Sequence, residues 1–266
     1  MVTLVEFDNR EIKGRIRRFF ARNFGKKVTL SGERVGGAPY CLVRVRCEGS
    51  VPWDEVKEAV GKGGRTVFER RMTLPVGLDI DRVDGEALRR KILLNGAVWT
   101  LEQAAAQNDV GDVALLDRFG RFSEVVPRLM QACRTLTVVT SDLKGYQDLA
   151  DRLSSMMGAA PMITERVMGV SGCPTVIAPD GLSGFGAIER PRLLFTADSR
   201  GGCTLDDGCV RSPFDDQTVE KYGLFELLTA FRWEGVFRDV GSILPHSVVL
   251  EGKRVPLQQL CRCFGT

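Results

Sequence analysis

The half of the chain after residue 109 alternates short apolar runs with amphipathic segments, and this alternation restricts the fold more than any other feature. The apolar runs cover residues 113–116, 135–140, 162–164, 175–178 and 193–196. Residues 123–132 and 143–157 have the spacing of amphipathic helices. Strands that alternate with helices form parallel sheets. The sequence therefore predicts an α/β fold with a mostly parallel sheet, in which the first two strands are adjacent.

A polar turn and a small-residue loop follow two of the predicted strands, at residues 140–142 (TSD) and 179–181 (PDG). In order and spacing, residues 135–184 resemble the second half of the dinucleotide domain in oxidoreductases of the shikimate dehydrogenase and glutamyl-tRNA reductase type. The resemblance implies a Rossmann-like fold for this region. If the chain were such an oxidoreductase, the residues that contact NAD or NADP would be Thr140, Ser141, Asp142 and Gly181.

The phosphate loop of a Rossmann fold needs G-x-G-x-x-G after its first strand, because glycines permit a tight turn and close approach of the backbone to pyrophosphate. Here the three glycine positions are Asp117, Phe119 and Phe122. Two like charges about 4 Å apart repel by about 4 kcal/mol at an effective dielectric of about 20, whereas a helix N-terminus attracts an anion by only about 0.3–1 kcal/mol. We therefore expect a degenerate loop in which the carboxylate repels phosphate and the rings fill the space left by glycine.

Residues 1–108 are predicted to form a separate α+β domain. We expect a helix from Asp8 or Asn9 to Gly25, strands at 28–31 and 40–47, a helix at 53–60 and one or two strands within 65–75. A long helix at 84–107, interrupted or bent near Asn95 and Gly96, would lead into a second domain, residues 109–266. The predicted core of the first domain contains Phe19, Phe24, Leu42, Val45 and Trp53.

The end of the chain is predicted to add a helical extension to the second domain. Residues 217–231 have the pattern of an amphipathic helix, and residues 248–260 (VVLEGKRVPLQQL) indicate a hairpin or turn followed by a short helix. Asp215 and Asp216 are expected to cap the first of these helices.

Three other groups of residues have both a chemical and a plainer interpretation. The cysteines 203, 209, 261 and 263 are separated by five residues and by one, which differs from the C-x₂₋₄-C spacing of structural zinc sites, so free thiols and no metal are expected. His246 is the only histidine, and we expect it to lie in a turn. Asp206 and Asp207 are adjacent loop carboxylates, for which turn formation is favoured over cation binding.

Composition places few further limits. No run of apolar residues is long enough to span a membrane, and the N-terminus lacks the pattern of a signal peptide, so we expect a cytoplasmic protein. The eight cysteines have no repeating spacing, which agrees with a reducing compartment. The net charge of +3 does not indicate a nucleic-acid partner, although nine basic and two acidic residues lie between Arg10 and Arg34.

These patterns lead to one functional hypothesis and two alternatives. We expect a Rossmann-like protein that binds a small ligand or a protein partner, has no functional NAD(P) site and needs no cofactor; Arg118 and Arg121 could contact an anion in another geometry. The first alternative is an oxidoreductase that binds NAD or NADP with an atypical phosphate loop. The second is an anionic partner or nucleic acid bound by the basic N-terminal helix. An enzyme and a non-enzymatic binding protein both stay open.

Overall fold

The computed structural model describes residues 1–8, 27–35, 37–47, 51–61, 65–170, 172–183, 185, 191–198, 201–232 and 242–264. Its strands are β1 (Val2–Asp8), β2 (Val28–Val35), β3 (Ala38–Arg46), β4 (Arg65–Phe68), β5 (Asp112–Leu116), β6 (Thr135–Val139), β7 (Met162–Thr164), β8 (Thr175–Ala178), β9 (Leu193–Thr196), β10 (Ser247–Leu250) and β11 (Lys253–Pro256). Its helices are α1 (Trp53–Val60), α2 (Glu86–Ala105), α3 (Val126–Ala132), α4 (Leu143–Met157), α5 (Asp216–Tyr222), α6 (Leu224–Arg232) and α7 (Leu257–Leu260). The helix expected up to Gly25, with Phe19 and Phe24, lies outside the described residues.

Contacts divide the chain into two units that differ from the expected domains. The first comprises residues 1–88 and 212–240, and the second comprises 89–211 and 241–266. Most of α2 therefore belongs to the second unit, where Ile92, Val98 and Leu101 on this helix have no exposed surface. The helices α5 and α6 belong to the first unit and do not extend the second.

The first unit contains a mixed sheet with the strand order β2-β3-β1-β4. The central strand β1 runs parallel to both β3 and β4, and β2 pairs antiparallel with β3. The sequence patterns did not predict β1, because consecutive residues such as Leu4 and Val5 are both buried and period-two alternation is absent. One side of the sheet packs with α1 in an apolar cluster formed by Val5, Val43, Val45, Val56, Val60 and Phe68.

The second unit contains a five-stranded parallel sheet with the order β7-β6-β5-β8-β9. The helix α3 connects β5 to β6, and α4 connects β6 to β7. After β7 the chain returns to the other side of β5, so the strand order reverses between β5 and β8. Five strands of a Rossmann sheet have this order. The predicted α/β, Rossmann-like fold is confirmed, and so is the parallel pairing of its first two strands.

Two predicted helices differ in detail from those observed. The helix α2 continues from Glu86 to Ala105 without the expected interruption at Gly96. A Cβ atom at Gly96 would lie 2.8 Å from Cγ of Pro245, so this glycine permits close packing within the second unit. The single helix expected at 217–231 is instead divided between α5 and α6 by Gly223, whose φ is 92°. The predicted hairpin is present as β10 and β11, which lead into α7.

Candidate functional site

The candidate site is the carboxyl edge of the parallel sheet, at the position between β5 and β8 where the strand order reverses. Ligands of open α/β sheets bind in the crevice at such a reversal of strand order. An acidic residue follows each of the five strands within three positions: Asp117, Asp142, Glu165, Asp180 and Asp198. The hydrogen bonds made by four of these carboxylates determine which backbone and side-chain groups at this edge can contact a ligand.

The Asp117 carboxylate closes the loop that follows β5. Its Oδ1 accepts a hydrogen bond from the amide of Arg121 at 2.9 Å, and its Oδ2 accepts from the amide of Phe122 at 2.7 Å. Oδ2 also accepts a 2.6 Å hydrogen bond from the hydroxyl of Tyr146 on α4. Asp117 has no exposed surface. The amides that precede the short 3₁₀ turn Ser123–Val125 and α3 are thus occupied by an anion that belongs to the chain itself.

The Tyr146 side chain acts as a permanent donor in this arrangement. It is 1% exposed, and burial is the main cause that raises the pKa of its hydroxyl, with the hydrogen bond to Asp117 raising it further. A raised pKa keeps the phenol protonated at neutral pH. The hydroxyl therefore donates to the Asp117 carboxylate throughout the physiological range.

The two phenylalanines of the loop differ in position from each other. Phe122 is 7% exposed and is buried as expected, whereas Phe119 is 57% exposed and does not fill the loop. Cζ of Arg121 lies 4.8 Å from the centre of the Phe119 ring, and Cζ of Arg118 lies 5.6 Å from it. The expectation that both rings occupy the space left by glycine is wrong for Phe119. The loop instead exposes an aromatic ring that lies close to two guanidinium groups.

The predicted cofactor-selecting turn lies at the end of β6. Oγ1 of Thr140 accepts a 3.0 Å hydrogen bond from the amide of Asp142, and the amide of Ser141 donates to the carbonyl of Arg118 at 3.1 Å. The Asp142 carboxylate caps α4 by accepting from the amide of Gly145 at 3.1 Å. A Cβ at Gly120, whose φ is 69°, would lie 2.5 Å from Oδ2 of Asp142. The turn and the β5 loop are therefore in contact, as a shared site requires.

Gly181 lies on the far side of the crevice, after β8. Its φ is 85°, and a Cβ there would lie 2.6 Å from Oδ2 of Asp198. The same carboxylate oxygen accepts a 2.6 Å hydrogen bond from the amide of Leu182. A side chain at position 181 would be both strained and obstructed. The loop is held by a carboxylate, in the same way as the loops after β5 and β6.

At this edge, the largely buried side chain of Asp180 forms ion pairs with two arginines. Its Oδ1 lies 3.0 Å from Nη1 of Arg90 and 3.9 Å from Nη1 of Arg121, and its side chain is 10% exposed. Within the described part of the chain, its buried Oδ2 has no hydrogen-bond partner. The crevice therefore joins the loop after β8 to α2 and to the loop after β5.

Sequence patterns missed Tyr146, Arg90 and Asp198. A signal for Asp198 is present, because Thr196-Ala197-Asp198 repeats the Thr-x-Asp pattern of residues 140–142, and Oγ1 of Thr196 likewise accepts from the amide of Asp198 at 3.1 Å. Tyr146 and Arg90 lie on helices, and their partners depend on how those helices pack.

The remaining candidate groups are the cysteines, the loop carboxylates and His246. All eight cysteines are free, and the described residues contain no cluster that could hold a metal ion. Asp215 caps α5 by accepting from the amide of Thr218 at 2.9 Å, and Asp206 pairs with Arg254 at 3.0 Å. His246 lies just before β10, and its amide donates to the carbonyl of Cys209. In the described residues we find no helix that combines the length and apolar character needed to cross a membrane.

No protein-family model matches this chain, and no curated protein is similar to it in sequence. Among solved structures, the chain is similar to L-tryptophan dehydrogenase from Nostoc punctiforme, with 9% sequence identity and a TM-score of 0.35. The similarity covers 91% of this chain and 79% of that one. The Rossmann-like assignment rests on the parallel strand order itself.

Proposed function

We propose that this chain is a Rossmann-like binding protein that does not hold NAD or NADP at the carboxyl edge of its parallel sheet. One observation carries the proposal: the Asp117 carboxylate accepts hydrogen bonds from the amides of Arg121 and Phe122 and from the Tyr146 hydroxyl. Backbone amides at this position of a Rossmann fold bind the pyrophosphate of a dinucleotide. In this chain a side-chain anion has taken them.

The energies favour the internal anion over an external one. Each hydrogen bond to a charged group contributes about 1.5–3 kcal/mol, and a phosphate would have to displace the carboxylate from three of them. A phosphate placed beside the carboxylate without displacing it would meet a repulsion of about 4 kcal/mol at about 4 Å. Neither geometry leaves a favourable term for a pyrophosphate at the backbone amides that Asp117 occupies.

The ligand contacts that we propose lie on the outer side of the same loop. Arg118, Phe119 and Arg121 are exposed there, while Asp117 fixes the backbone beneath them. Guanidinium groups bind carboxylates and phosphates through paired hydrogen bonds, and an exposed aromatic ring adds contact area at little entropic cost. This set of side chains suits a small anionic ligand or an acidic segment of a protein partner.

A ligand-stabilisation experiment tests the proposal. The melting temperature of the wild-type protein should not change with NADH or NADPH at millimolar concentration, whereas a ligand at about 100 times its dissociation constant would stabilise the fold by about 2.7 kcal/mol. A screen of nucleotides, organic phosphates and carboxylates should identify anions that stabilise the protein. Their effect should be lost in the double variant Arg118→Gln/Arg121→Gln and kept in the control Arg71→Gln, whose side chain is 92% exposed in the first unit.

Micromolar binding of NADH or NADPH by the unaltered protein would contradict the proposal and favour the oxidoreductase alternative. In that case Asp142→Ala should weaken binding, because Asp142 belongs to the cofactor-selecting turn. Under our proposal, Asp142→Ala affects only the stability of α4.

A further inference from the structure

The outer face of the β5 loop presents an aromatic ring together with two guanidinium groups. We call Arg118, Phe119 and Arg121 the outer patch. Cζ of Arg121 lies 4.8 Å and Cζ of Arg118 lies 5.6 Å from the centre of the Phe119 ring, yet 57% of Phe119 is exposed. The two arginines therefore leave more than half of the phenylalanine surface open to a ligand.

The backbone on both sides of Phe119 is fixed by hydrogen bonds. The carbonyl of Arg118 accepts from the amide of Ser141 at 3.1 Å, and the amide of Gly120 donates to the carbonyl of Asp117 at 3.3 Å. Gly120 has the positive φ of 69°, which glycine adopts at little cost. A ring displayed on a fixed turn loses little conformational entropy when a ligand binds, so the outer patch is organised before binding.

Both guanidinium groups keep hydrogen-bond donors for an anion. Nη1 of Arg121 lies 3.9 Å from Oδ1 of Asp180, beyond hydrogen-bonding distance, whereas Nη1 of Arg90 donates to the same oxygen at 3.0 Å. Across the described residues, neither the Arg118 nor the Arg121 side chain donates a hydrogen bond. A cation–π contact does not use up the five N–H donors of a guanidinium. An oxyanion can therefore bind these arginines while they stay close to Phe119.

The size of the outer patch favours a small molecule over a protein partner. Stable protein interfaces bury about 800 Å² on each partner and involve about 20–30 residues a side, which is far more than this patch provides. Aromatic rings in contact have centres about 4.5–7 Å apart, and the two guanidinium carbons lie within the same range of the Phe119 ring. An acid group attached directly to a ligand ring can therefore reach a guanidinium while that ring contacts Phe119.

We propose that the ligand of this site is a small molecule in which an acid group is attached to an aromatic ring, with the acid group at Arg118 or Arg121 and the ring against Phe119. This inference rests on the proposed function and narrows it, because the proposed function requires only an anion. An aliphatic acid would gain the ion pair without the ring contact, which contributes beyond the burial of apolar area. The site should therefore recognise the ring separately from the charge.

Two acids with the same charge and carbon skeleton separate these contributions, 2-naphthoate and its saturated analogue decahydro-2-naphthoate. The saturated acid is the more apolar, so burial of apolar surface alone would favour it. Titration calorimetry on the full-length protein should instead show one naphthoate bound about threefold to tenfold more tightly than its analogue. Phe119→Leu should reduce this ratio to about one and leave the affinity for the saturated acid unchanged. Because Phe119 is exposed, the substitution should not change the melting temperature.

Met162→Leu on β7 is the matched control, because Met162 is likewise exposed, at 59%, and does not belong to the β5 loop. This variant should keep the preference for naphthoate. Nuclear Overhauser effects give a second readout. With the fourteen phenylalanines isotope-labelled, bound naphthoate should show contacts to the ring protons of one phenylalanine, and these contacts should be absent in Phe119→Leu.

The double variant Arg118→Gln/Arg121→Gln separates this inference from the proposed function. It should bind neither acid, since both acids need a guanidinium. If both acids bind the wild-type protein equally well and the double variant binds neither, the proposed function stands and the aromatic inference is overturned. A preference for naphthoate that persists in Phe119→Leu overturns it as well. If the wild-type protein binds neither acid, or the double variant still binds both, the proposed function and this inference fail together.

Discussion

The hydroxyl of Tyr146 lies 2.6 Å from Oδ2 of Asp117, and neither residue is more than 1% exposed. The two residues are 29 positions apart and join the loop after β5 to α4, which follows β6. A charged acceptor and a neutral donor, enclosed together, stabilise each other more than the same pair in water, because the local dielectric is low. The loop and the helix should therefore lose structure together.

Tyr146→Phe tests this pair directly. The substitution leaves the buried carboxylate with only its two amide donors, and we expect the free energy of unfolding to fall by about 1.5–3 kcal/mol. Urea denaturation followed by circular dichroism measures the change. Tyr40→Phe is the control, because its hydroxyl donates to the partly exposed Glu33, and we expect a loss of about 0.5 kcal/mol. Equal losses of unfolding free energy in the two variants would show that burial does not strengthen the hydrogen bond between Tyr146 and Asp117.

Asp117→Asn should destabilise the protein at least as much as Tyr146→Phe. An asparagine keeps the volume but turns an amino group toward backbone amides and a phenol that all donate, so at least one donor loses its acceptor. We expect a loss of about 3 kcal/mol in the free energy of unfolding. Asp142→Asn is the control, since asparagine caps helices as well as aspartate does, and it should change stability by less than about 0.5 kcal/mol. If Asp117→Asn is as mild as the control, the carboxylate does not hold the loop.

The sequence predicted the parallel sheet closely because each of its strands is a compact apolar run bounded by turns. Asp117 was recognised as an obstacle from its position in the glycine pattern, but its hydrogen bonds were not, since they depend on Tyr146 of another element. The strand β1 was missed because its apolar residues are buried on both sides of the sheet and do not alternate with polar ones. Local patterns record periodicity and turns, whereas partners brought together by helix packing leave no such pattern.

Because Gly96 packs against Pro245, we expect Gly96→Ala to change the free energy of unfolding in opposite directions with and without the proline ring. Alanine in place of a helical glycine normally stabilises by about 1 kcal/mol, but here the new Cβ would overlap Cγ of Pro245 at 2.8 Å. Overpacking of this kind costs about 1–3 kcal/mol. We expect Gly96→Ala to destabilise the wild-type protein and to stabilise the Pro245→Ala variant. Thermal or urea unfolding of the four proteins measures both effects, and the same sign in both backgrounds would refute the packing role.

The lowered pKa of Glu6 in the first unit predicts part of the protein's loss of stability in acid. Burial raises the pKa of this carboxyl, but hydrogen bonds from Lys221 and Arg44 outweigh burial and leave it below its ordinary value of 4.5. The folded state thus holds its proton less tightly than the unfolded state. The stabilisation is complete above pH 4.5 and is lost as the pH falls through the lower, folded pKa.

Glu6→Gln should therefore lower the free energy of unfolding by about 1–2 kcal/mol at neutral pH and make its fall in acid shallower. Urea unfolding at a series of pH values measures both quantities. Glu220→Gln is the control, because the pair of Glu220 with Arg71 is exposed and separated by 3.9 Å, so solvent screens it. A slope in acid that is identical for wild type and Glu6→Gln would show that Glu6 does not contribute.

The first unit is assembled from two stretches of chain separated by more than a hundred residues of the second. Lys221 reaches Glu6 across 215 positions, and it also pairs with Glu69 at 3.0 Å. On a ribosome that adds about 5–20 residues per second, the four strands β1 to β4 have been translated about seven to thirty seconds before α5 begins. During that interval the nascent sheet lacks α5 and α6, and transiently exposed apolar surface of this kind makes folding intermediates prone to aggregation. The five strands of the parallel sheet, in contrast, are translated in one continuous stretch from β5 to β9.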